Sequence, residues 1–318
     1  MRESVIHKVD ITDSELQGHN LLRILSVTAL FSTLLLIAVG SYVRVSGNGL
    51  GCPDWPLCYG QAVPPFEYSA WVEFSHRLLG GVVGLQIVAL AWLAWTRFRD
   101  RPWVFRPALA AVIVLVVQVS LGGLHVLNEL PRWTGLVHTG VAMAIVGLLA
   151  VLVAVTQPGL RDLNRRVPKL FSETSLPRWT IVGAAATYLL LLTGSLVTRT
   201  GSSLACPSFP HCGLSEVGSQ LQPYVTIQLL HRFSAFTVAG IVIVILVYLL
   251  RYGRSHVLLR RLSAVLGLLL LIQFALGISN VLLALPMWSR ILHLATGASI
   301  WGVMTLLAVA LYRARPAH

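Results

Sequence analysis

Histidines inside apolar segments are the residues of this chain best suited to chemistry. Four of its ten histidines lie in long apolar runs and also occur at matching positions of an internal repeat; ionisable side chains in such runs are rare and usually functional. They form two pairs with the same spacing, since His231 follows His76 by 155 residues and His293 follows His138 by 155 residues. Two imidazoles per repeat suit heme iron, which binds one axial ligand on each face.

Other interpretations of these histidines remain open. A single intramembrane histidine is more often a helix–helix contact. Zinc is a weaker alternative than heme, because two histidines per repeat supply too few ligands for a closed tetrahedral site. The remaining histidines do not match across the repeat or lie in polar segments, and we expect surface or packing roles for them: His7, His19, His125, His211, His256 and His318.

One acidic residue, Glu73, lies within an apolar run, three positions before His76. Residues three apart share a helix face, so the carboxyl group is expected one turn from the imidazole. There it could transfer a proton or stabilise positive charge on a substrate. The position 155 residues later is Gln228, so the acid is not repeated. The alternative is a structural carboxyl group, hydrogen-bonded for instance to Arg77.

The four cysteines form two matching loops, Cys-Pro-Asp-Trp-Pro-Leu-Cys at 52–58 and Cys-Pro-Ser-Phe-Pro-His-Cys at 206–212. This spacing differs from the C-x-x-C of zinc and redox motifs. We predict two disulfides within the loops, on the outer membrane face where disulfides persist: Cys52–Cys58 and Cys206–Cys212. Free thiols that handle redox equivalents or tether a substrate are the alternative.

The composition indicates that a membrane positions these residues. Of the 318 residues, 56% are hydrophobic and only 11% are charged, whereas a soluble domain carries about 25% charged residues. The net charge of +12 comes from short basic clusters between apolar runs. Such clusters are typical of topology signals and not of a nucleic-acid-binding surface. We therefore predict an all-α membrane protein that binds no nucleic acid.

Eight apolar runs are long enough to cross a bilayer, which needs about 20 residues per helix. They cover residues 21–43, 70–96, 107–127, 134–156, 179–198, 224–251, 260–283 and 291–312. If both termini are cytoplasmic, the outer loops hold only four basic residues, Arg44, Arg132, Arg199 and Arg290. Because positive residues accumulate on the cytoplasmic side, we predict cytoplasmic termini. The four intramembrane histidines then lie at one depth, about 10 Å below the outer surface.

An internal duplication organises the eight spans. Residues 40–58 match residues 194–212 at nine of nineteen positions, and residues 118–138 match residues 273–293 at nine of twenty-one. Four spans per copy, an even number, give both copies the same orientation. Gln118 and Gln273 also match, and we expect them to make inter-helix hydrogen bonds.

The duplication predicts two pseudo-symmetric four-helix bundles. We assign an N-terminal half to residues 21–156 and a C-terminal half to residues 179–313. A cytoplasmic linker at 157–178 joins them, with short tails at 1–20 and 314–318.

In combination these motifs resemble the heme A synthase family, in its bacterial eight-helix form. The resemblance runs from about residue 21 to residue 313. It rests on the GCPDWPLC and CPSFPHC loops, the EFSHR segment at 73–77, Leu230-His231-Arg232 and the fourth-span histidine of each half. Members of the family oxidise a ring methyl group of heme O, through an alcohol and a geminal diol, to the formyl group of heme A.

The resemblance implies a role for each half. The C-terminal half would hold a heme B cofactor through His231 and His293. The N-terminal half would hold the substrate heme O through His76 and His138, with Glu73 as the catalytic residue.

It also implies partners and a location. The partner proteins would be heme O synthase, a farnesyl transferase, and cytochrome oxidase assembly factors. Membrane lipid would surround the spans in a bacterial plasma (inner) membrane, with the cysteine loops on the outer face.

Three other functions remain as alternatives. A di-heme, cytochrome b-like electron-transfer protein needs two equivalent pockets, and the difference between Glu73 and Gln228 argues against it. A transporter is expected to show a broken helix or paired intramembrane charges, and the lack of either pattern in the sequence argues against it. A heme farnesyl transferase needs intramembrane Asp-rich magnesium motifs, whereas the aspartates here lie in tails or loops: Asp10, Asp13, Asp54, Asp100 and Asp162.

Overall fold

A computed structural model describes residues 13–160, 163–172, 174–210, 212 and 221–314. Parts of the predicted tails and linker therefore lie outside the described residues. So do five residues named above: His7, His211, His318, Asp10 and Asp162.

Throughout the described residues the long elements are helices, and eight of them are long and apolar enough to cross a membrane. They are α1 (Asp13–Val45), α2 (Tyr68–Arg97), α3 (Pro102–Leu127), α4 (Arg132–Thr156), α5 (Leu176–Thr200), α6 (Gln222–Tyr252), α7 (Val257–Leu282) and α8 (Met287–Arg313). The prediction of an all-α membrane protein with eight spans is confirmed.

Most helices are longer than the apolar runs that predicted them. Helix α1 already begins at Asp13, inside the predicted tail 1–20, and α5 begins at Leu176, inside the predicted linker. Apolar patterning detects only the part of a helix that crosses hydrocarbon. The backbone hydrogen bonds of a helix continue into polar sequence, so the predicted boundaries were too narrow there.

The segment between α4 and α5 is partly folded onto the second half, α5–α8. It contains a 3₁₀ turn at Pro158–Leu160 and single helical turns at Leu163–Arg166 and Lys169–Ser172. Its apolar side chains Leu163 and Leu170 are fully buried in the hydrophobic core of that half. The linker is therefore a packed element, stabilised by burial of apolar surface.

Each half closes as a ring of four helices. In the first half, α1 packs against α2 and α4, and α3 packs against the same two helices; α5–α8 repeat this arrangement. The halves meet through α4 on α5, and through α8 on both α1 and α4. In the most apolar 18-residue stretch of α4 and of α8, 67% of the residues are buried inside the protein, compared with 11% for α3 and 17% for α7. The central pair therefore consists of the helices that carry His138 and His293.

Small residues and two aromatic hydrogen bonds join the halves. The indole of Trp301 on α8 donates to the carbonyl oxygen of Met143 at 2.8 Å, and the Tyr188 hydroxyl on α5 donates to that of Gly140 at 3.1 Å. A Cβ atom at Gly147 would lie 2.9 Å from the Trp301 ring. Close approach at small residues, together with inter-helix hydrogen bonds, is the usual basis of helix association in membranes.

Candidate functional site

A cavity inside the second half brings two of the predicted ligands together. His231 on α6 and His293 on α8 both line it. Most of its wall is aliphatic and aromatic, with Gln228 and Gln273 among the polar side chains. An apolar cavity with a few convergent polar groups is the usual form of a cofactor site.

The second-span histidine of each half packs against a glycine of the preceding helix. A Cβ atom at Gly40 of α1 would lie 2.7 Å from Cε1 of His76, and one at Gly194 of α5 would lie 3.0 Å from Cε1 of His231. These distances are at or below the shortest that real side chains tolerate. The glycines therefore provide the space in which each imidazole is held.

Replacing Gly194 with alanine should displace the imidazole of His231 while leaving the helix intact. Shifting the support of a metal ligand typically costs 10–100-fold in affinity, so if His231 holds heme iron, as the sequence predicts, the heme content should fall by about 10-fold. Heme content per protein, measured by pyridine hemochrome, checks this. Gly240→Ala on α6 is the matched control, because a Cβ atom there has no neighbour within 4 Å. Full heme content in Gly194→Ala would contradict the expectation.

The fourth-span histidine of each half contacts a glutamine of the preceding helix. Nε2 of His138 lies 3.0 Å from the amide nitrogen of Gln118, and Nε2 of His293 lies 3.5 Å from that of Gln273. The predicted inter-helix hydrogen bonds of the two glutamines are confirmed, with these histidines as partners. A metal ion bound at Nε2 would replace the amide contact.

Several ring nitrogens at these positions have no partner in the described part of the chain. Nδ1 of His76, His138 and His293 is buried there without a hydrogen bond. Buried polar atoms are nearly always paired, and an unpaired one commonly marks a ligand or a functional constraint. Of these three histidines, His293 lines the cavity of the second half, and an imidazole in an apolar cavity fits an axial ligand of heme iron.

His231 differs from the other three because a hydroxyl group sets its tautomer. The Thr193 hydroxyl lies 2.8 Å from the carbonyl oxygen of Leu190 and 2.9 Å from Nδ1 of His231, so a hydroxyl that donates to Leu190 accepts from Nδ1. Nδ1 then carries the ring proton, and Nε2 keeps a lone pair for a metal. The matching residue in the first half is Val39, which cannot make this bond with His76.

The cysteine loops are closed as predicted and held by the arginine of each His-Arg dipeptide. Cys52–Cys58 and Cys206–Cys212 are disulfides. Arg77 donates to the carbonyl oxygens of Cys52, Asp54 and Leu57, at 2.7–3.2 Å. Arg232 donates to those of Cys206, Ser208 and Pro210, at 2.6–3.3 Å. These hydrogen bonds between arginine and loop were not predicted from the sequence, although the repeated His-Arg dipeptide was a signal for them.

Asp54 gives the first loop a further closure. Its carboxylate accepts the backbone N–H groups of Tyr59 at 2.6 Å and Gly60 at 2.7 Å. These bonds, that of Gly60 first, hold the pKa of Asp54 below its ordinary value of 3.8. The carboxylate is therefore charged, and the closure intact, at neutral pH.

Glu73 is buried and contacts the first loop. One carboxylate oxygen accepts the backbone N–H of Cys52 at 2.9 Å, and the other accepts from Arg77 Nε at 3.1 Å and Nη2 at 2.5 Å. The ion pair considered as the structural alternative is thus present. Its counterpart Gln228 donates only a long bond of 3.4 Å, to the carbonyl oxygen of Ser203. Glu73 therefore connects the second span to the cysteine loop.

Three arginines were assigned from the sequence only to the outer loops. Arg44, Arg199 and Arg290 in fact line the cavity of the second half. The scarcity of basic residues in the segments that hold them was the available signal, but no spacing pattern in the sequence links the three arginines.

The fold and the site define the class: a multi-pass membrane protein with a histidine-lined cavity between its helices. Comparison with known proteins gives the family. The family model described as "Cytochrome oxidase assembly protein" matches residues 23–305, nearly the whole membrane region, and the chain belongs to that family.

Several relatives are similar over most of their length. A protein named heme A synthase from Symbiobacterium thermophilum is 30% identical over 291 residues, which cover 90% of this chain and 94% of the relative. Heme A synthases from Shouchella clausii and Bacillus pumilus are 29% and 28% identical, over 83% and 89% of this chain and 88% and 92% of the relatives. The similarity thus includes both halves.

Proposed function

We propose that this protein is a heme A synthase, an oxidoreductase that converts the ring methyl group of heme O to the formyl group of heme A for cytochrome oxidase assembly. The observation that carries the proposal is the family match over residues 23–305. Relatives named heme A synthase cover both halves at 28–30% identity. The histidine pairs supply a chemical reason for a tetrapyrrole ligand.

The second half, around His231 and His293, is proposed to hold heme B as a resident cofactor. Support comes from the cavity that both histidines line and from the bond between Thr193 and His231, which keeps one tautomer ready for iron. When bound, heme B supplies one-electron transfer to or from the substrate half. The residues of the chain orient the ligands and exclude water from the site.

The first half, around His76 and His138, is proposed to bind the substrate heme O. Here Val39 replaces the threonine, so the hydroxyl bond that Thr193 makes to His231 has no equivalent at His76. A ligand without this hydroxyl bond suits a group that must bind, react and leave, whereas a ligand held by it suits a permanent cofactor.

Glu73 is proposed as the catalytic residue, which holds or moves a proton at its carboxylate oxygens. It lies one helical turn before His76 and has no acidic counterpart in the second half. Its contacts with Arg77 and Cys52 orient the carboxylate. A general acid or base must be positioned in this way before its proton affinity matters.

The topology is proposed from charge distribution. Both termini are placed in the cytoplasm of a bacterial cell and the cysteine loops on the outer face of its plasma membrane, since basic residues cluster at the opposite helix ends. Matching contacts of Arg77 and Arg232 with their loops support two pseudo-symmetric halves. The proposed partners are heme O synthase and cytochrome oxidase assembly factors.

The test is expression of the full chain in a bacterial host that makes heme O but lacks heme A synthase. Pigments extracted from the membranes should contain heme A, and a host with the empty vector should contain none. Heme B alone in the purified protein, with no heme A in the cells, would instead favour the di-heme electron carrier.

Thr193→Val should weaken heme binding in the second half, because it gives His231 the environment that Val39 gives His76. Loss of a bond that orients a metal-bound histidine typically costs 10–100-fold, so heme B dissociation should be about 10-fold faster or more. Transfer of heme to excess apomyoglobin measures that rate. Thr237→Val on α6 is the control, since its hydroxyl donates to the carbonyl oxygen of Phe233 at 2.9 Å and it does not line the cavity. An unchanged rate in Thr193→Val would refute the locking role.

A further inference from the structure

Three arginines lie at the cysteine-loop end of the second-half cavity. Arg44 is in the last turn of α1, Arg199 is in the last turn of α5, and Arg290 is in the first turn of α8. All three line the cavity that contains His231 and His293. They are close enough for Arg44 to be repelled electrostatically by the other two. Three like charges at the end of an apolar cavity are unfavourable unless an anion joins them.

The protein supplies no such anion within the described residues. Within the described residues no guanidinium group of these three arginines has an ion pair or a hydrogen bond; the ion pair of Glu73 belongs to Arg77. The sequence between residues 174 and 318 contains one acidic residue, Glu216, which lies outside the described residues. A negative group that neutralises this cluster is therefore expected to come from a ligand.

The cluster is built by both halves and is not part of the duplication. Arg44 comes from the first half, and it matches Thr198 in the second. Arg199 lies against Gly135 of α4, where a Cβ atom would be only 2.2 Å from its guanidinium carbon. The residue that matches Gly135 across the repeat is Arg290. The second half thus carries Arg290 at the position where the first half carries Gly135, and Gly135 leaves the space that Arg199 occupies.

We propose that Arg44, Arg199 and Arg290 form a carboxylate-binding site completed across the two halves, which binds the propionate groups of the tetrapyrrole in the second-half cavity. The inference rests on the proposed heme B site at His231 and His293. Planar guanidinium groups bind carboxylates through paired, charge-assisted hydrogen bonds.

The positions along the helices agree with this assignment. His293 follows Arg290 by three residues on α8, and Arg199 follows Gly194, the glycine that contacts His231, by five residues on α5. These separations correspond to about 5–8 Å along the helix axes. Half a porphyrin ring with its propionate chain spans a distance of this order, so iron at the histidines places the carboxylates near the arginines.

The experiment compares ferric protoporphyrin IX with its dimethyl ester, whose propionates carry no charge. Full-length protein from a heme-deficient host is titrated with each compound, and binding is followed by the Soret band. Wild type should bind the free acid about 10-fold more tightly than the ester, or more, as expected for charge-assisted hydrogen bonds. Arg199→Gln and Arg290→Gln should lose most of this preference by weakening only the free acid. Arg290→Lys, which keeps the charge, should retain part of it.

Arg132→Gln is the matched control, because Arg132 is an exposed arginine at the same end of the bundle and does not line the cavity. It should bind both compounds as wild type does. An undiminished preference for the free acid in both glutamine variants would overturn the proposal. The proposal would also be overturned if the ester bound wild type as tightly as the free acid and the glutamine variants contained less phospholipid phosphorus than wild type. The anion at the arginines would then be a lipid headgroup.

A separate readout distinguishes failure of this inference from failure of the proposed function. If wild type binds neither porphyrin with a low-spin bis-histidine spectrum, the heme B site itself is wrong, and the arginine site falls with it. If wild type gives that spectrum but does not distinguish acid from ester, only the arginine site is wrong. In the supported case, Arg199→Gln should also shift the heme midpoint potential, because it removes a positive charge beside the propionates.

Discussion

Replacing either His231 or His293 with alanine should abolish the low-spin heme B spectrum of the purified protein. The two imidazoles line one cavity from α6 and α8, and each would supply one axial bond to the iron. Loss of either leaves a five-coordinate iron at best, with a high-spin spectrum and a faster loss of heme. Optical spectra of the reduced and oxidised protein, together with heme content, measure the effect.

His125→Ala provides the control for this experiment. His125 is also a partly buried intramembrane histidine, but its Nδ1 bonds to the Thr134 hydroxyl at 2.6 Å, and Asn280 takes its place in the second half. The control variant should keep the full heme B signal. A complete low-spin spectrum in His231→Ala or His293→Ala would show that another pair of ligands holds the heme.

Glu73→Gln should reduce heme A formation by about 100-fold or more, the usual scale for loss of a general acid or base. The substitution keeps the shape of the side chain, removes the ionisable proton, and copies Gln228 in the second half. The heme at His231 and His293 should remain bound, because that site is formed largely by the other ring of helices. Heme A in membrane extracts and heme B in the purified protein are measured together.

The contacts of Glu73 require a control for its structural role. Gln keeps one acceptor oxygen but presents an amide N–H to either Cys52 or Arg77, so the loop contact is weakened in any case. Arg77→Gln breaks the same ion pair and leaves the acid in place. If the acid is catalytic, Glu73→Gln should lose far more heme A than Arg77→Gln at similar thermal stability. Equal losses that follow unfolding, or unchanged heme A output from Glu73→Gln, would make Glu73 a structural residue only.

Much of the fold could be predicted because hydrophobic patterning in a membrane protein has few solutions. Runs of about 20 apolar residues must form helices, since only a helix or a closed barrel satisfies the backbone in hydrocarbon. The eight spans were therefore found in order. Their ends were not, because α1 begins at Asp13 and α5 at Leu176, in segments where polar and charged residues interrupt the apolar pattern.

Part of the site could also be predicted, because the duplication marked it. The two histidine pairs, the two disulfide loops and the glutamines Gln118 and Gln273 all appear at matching positions in both copies. A repeat that retains costly intramembrane polar residues indicates that each copy uses them. The structure places His231 and His293 in one cavity. That each copy uses its histidines to hold a heme stays a prediction.

The sequence by itself thus determined the helical class, the spans, the repeat and the residue types of the candidate site. Only the tertiary structure revealed the contacts between distant segments that the two halves do not share. The lock of Thr193 on His231, the connection of Glu73 with Cys52, and the meeting of Arg44 with Arg199 and Arg290 are of this kind. Each depends on which helix faces which, and that is decided by side-chain packing between helices rather than by any periodicity along the chain.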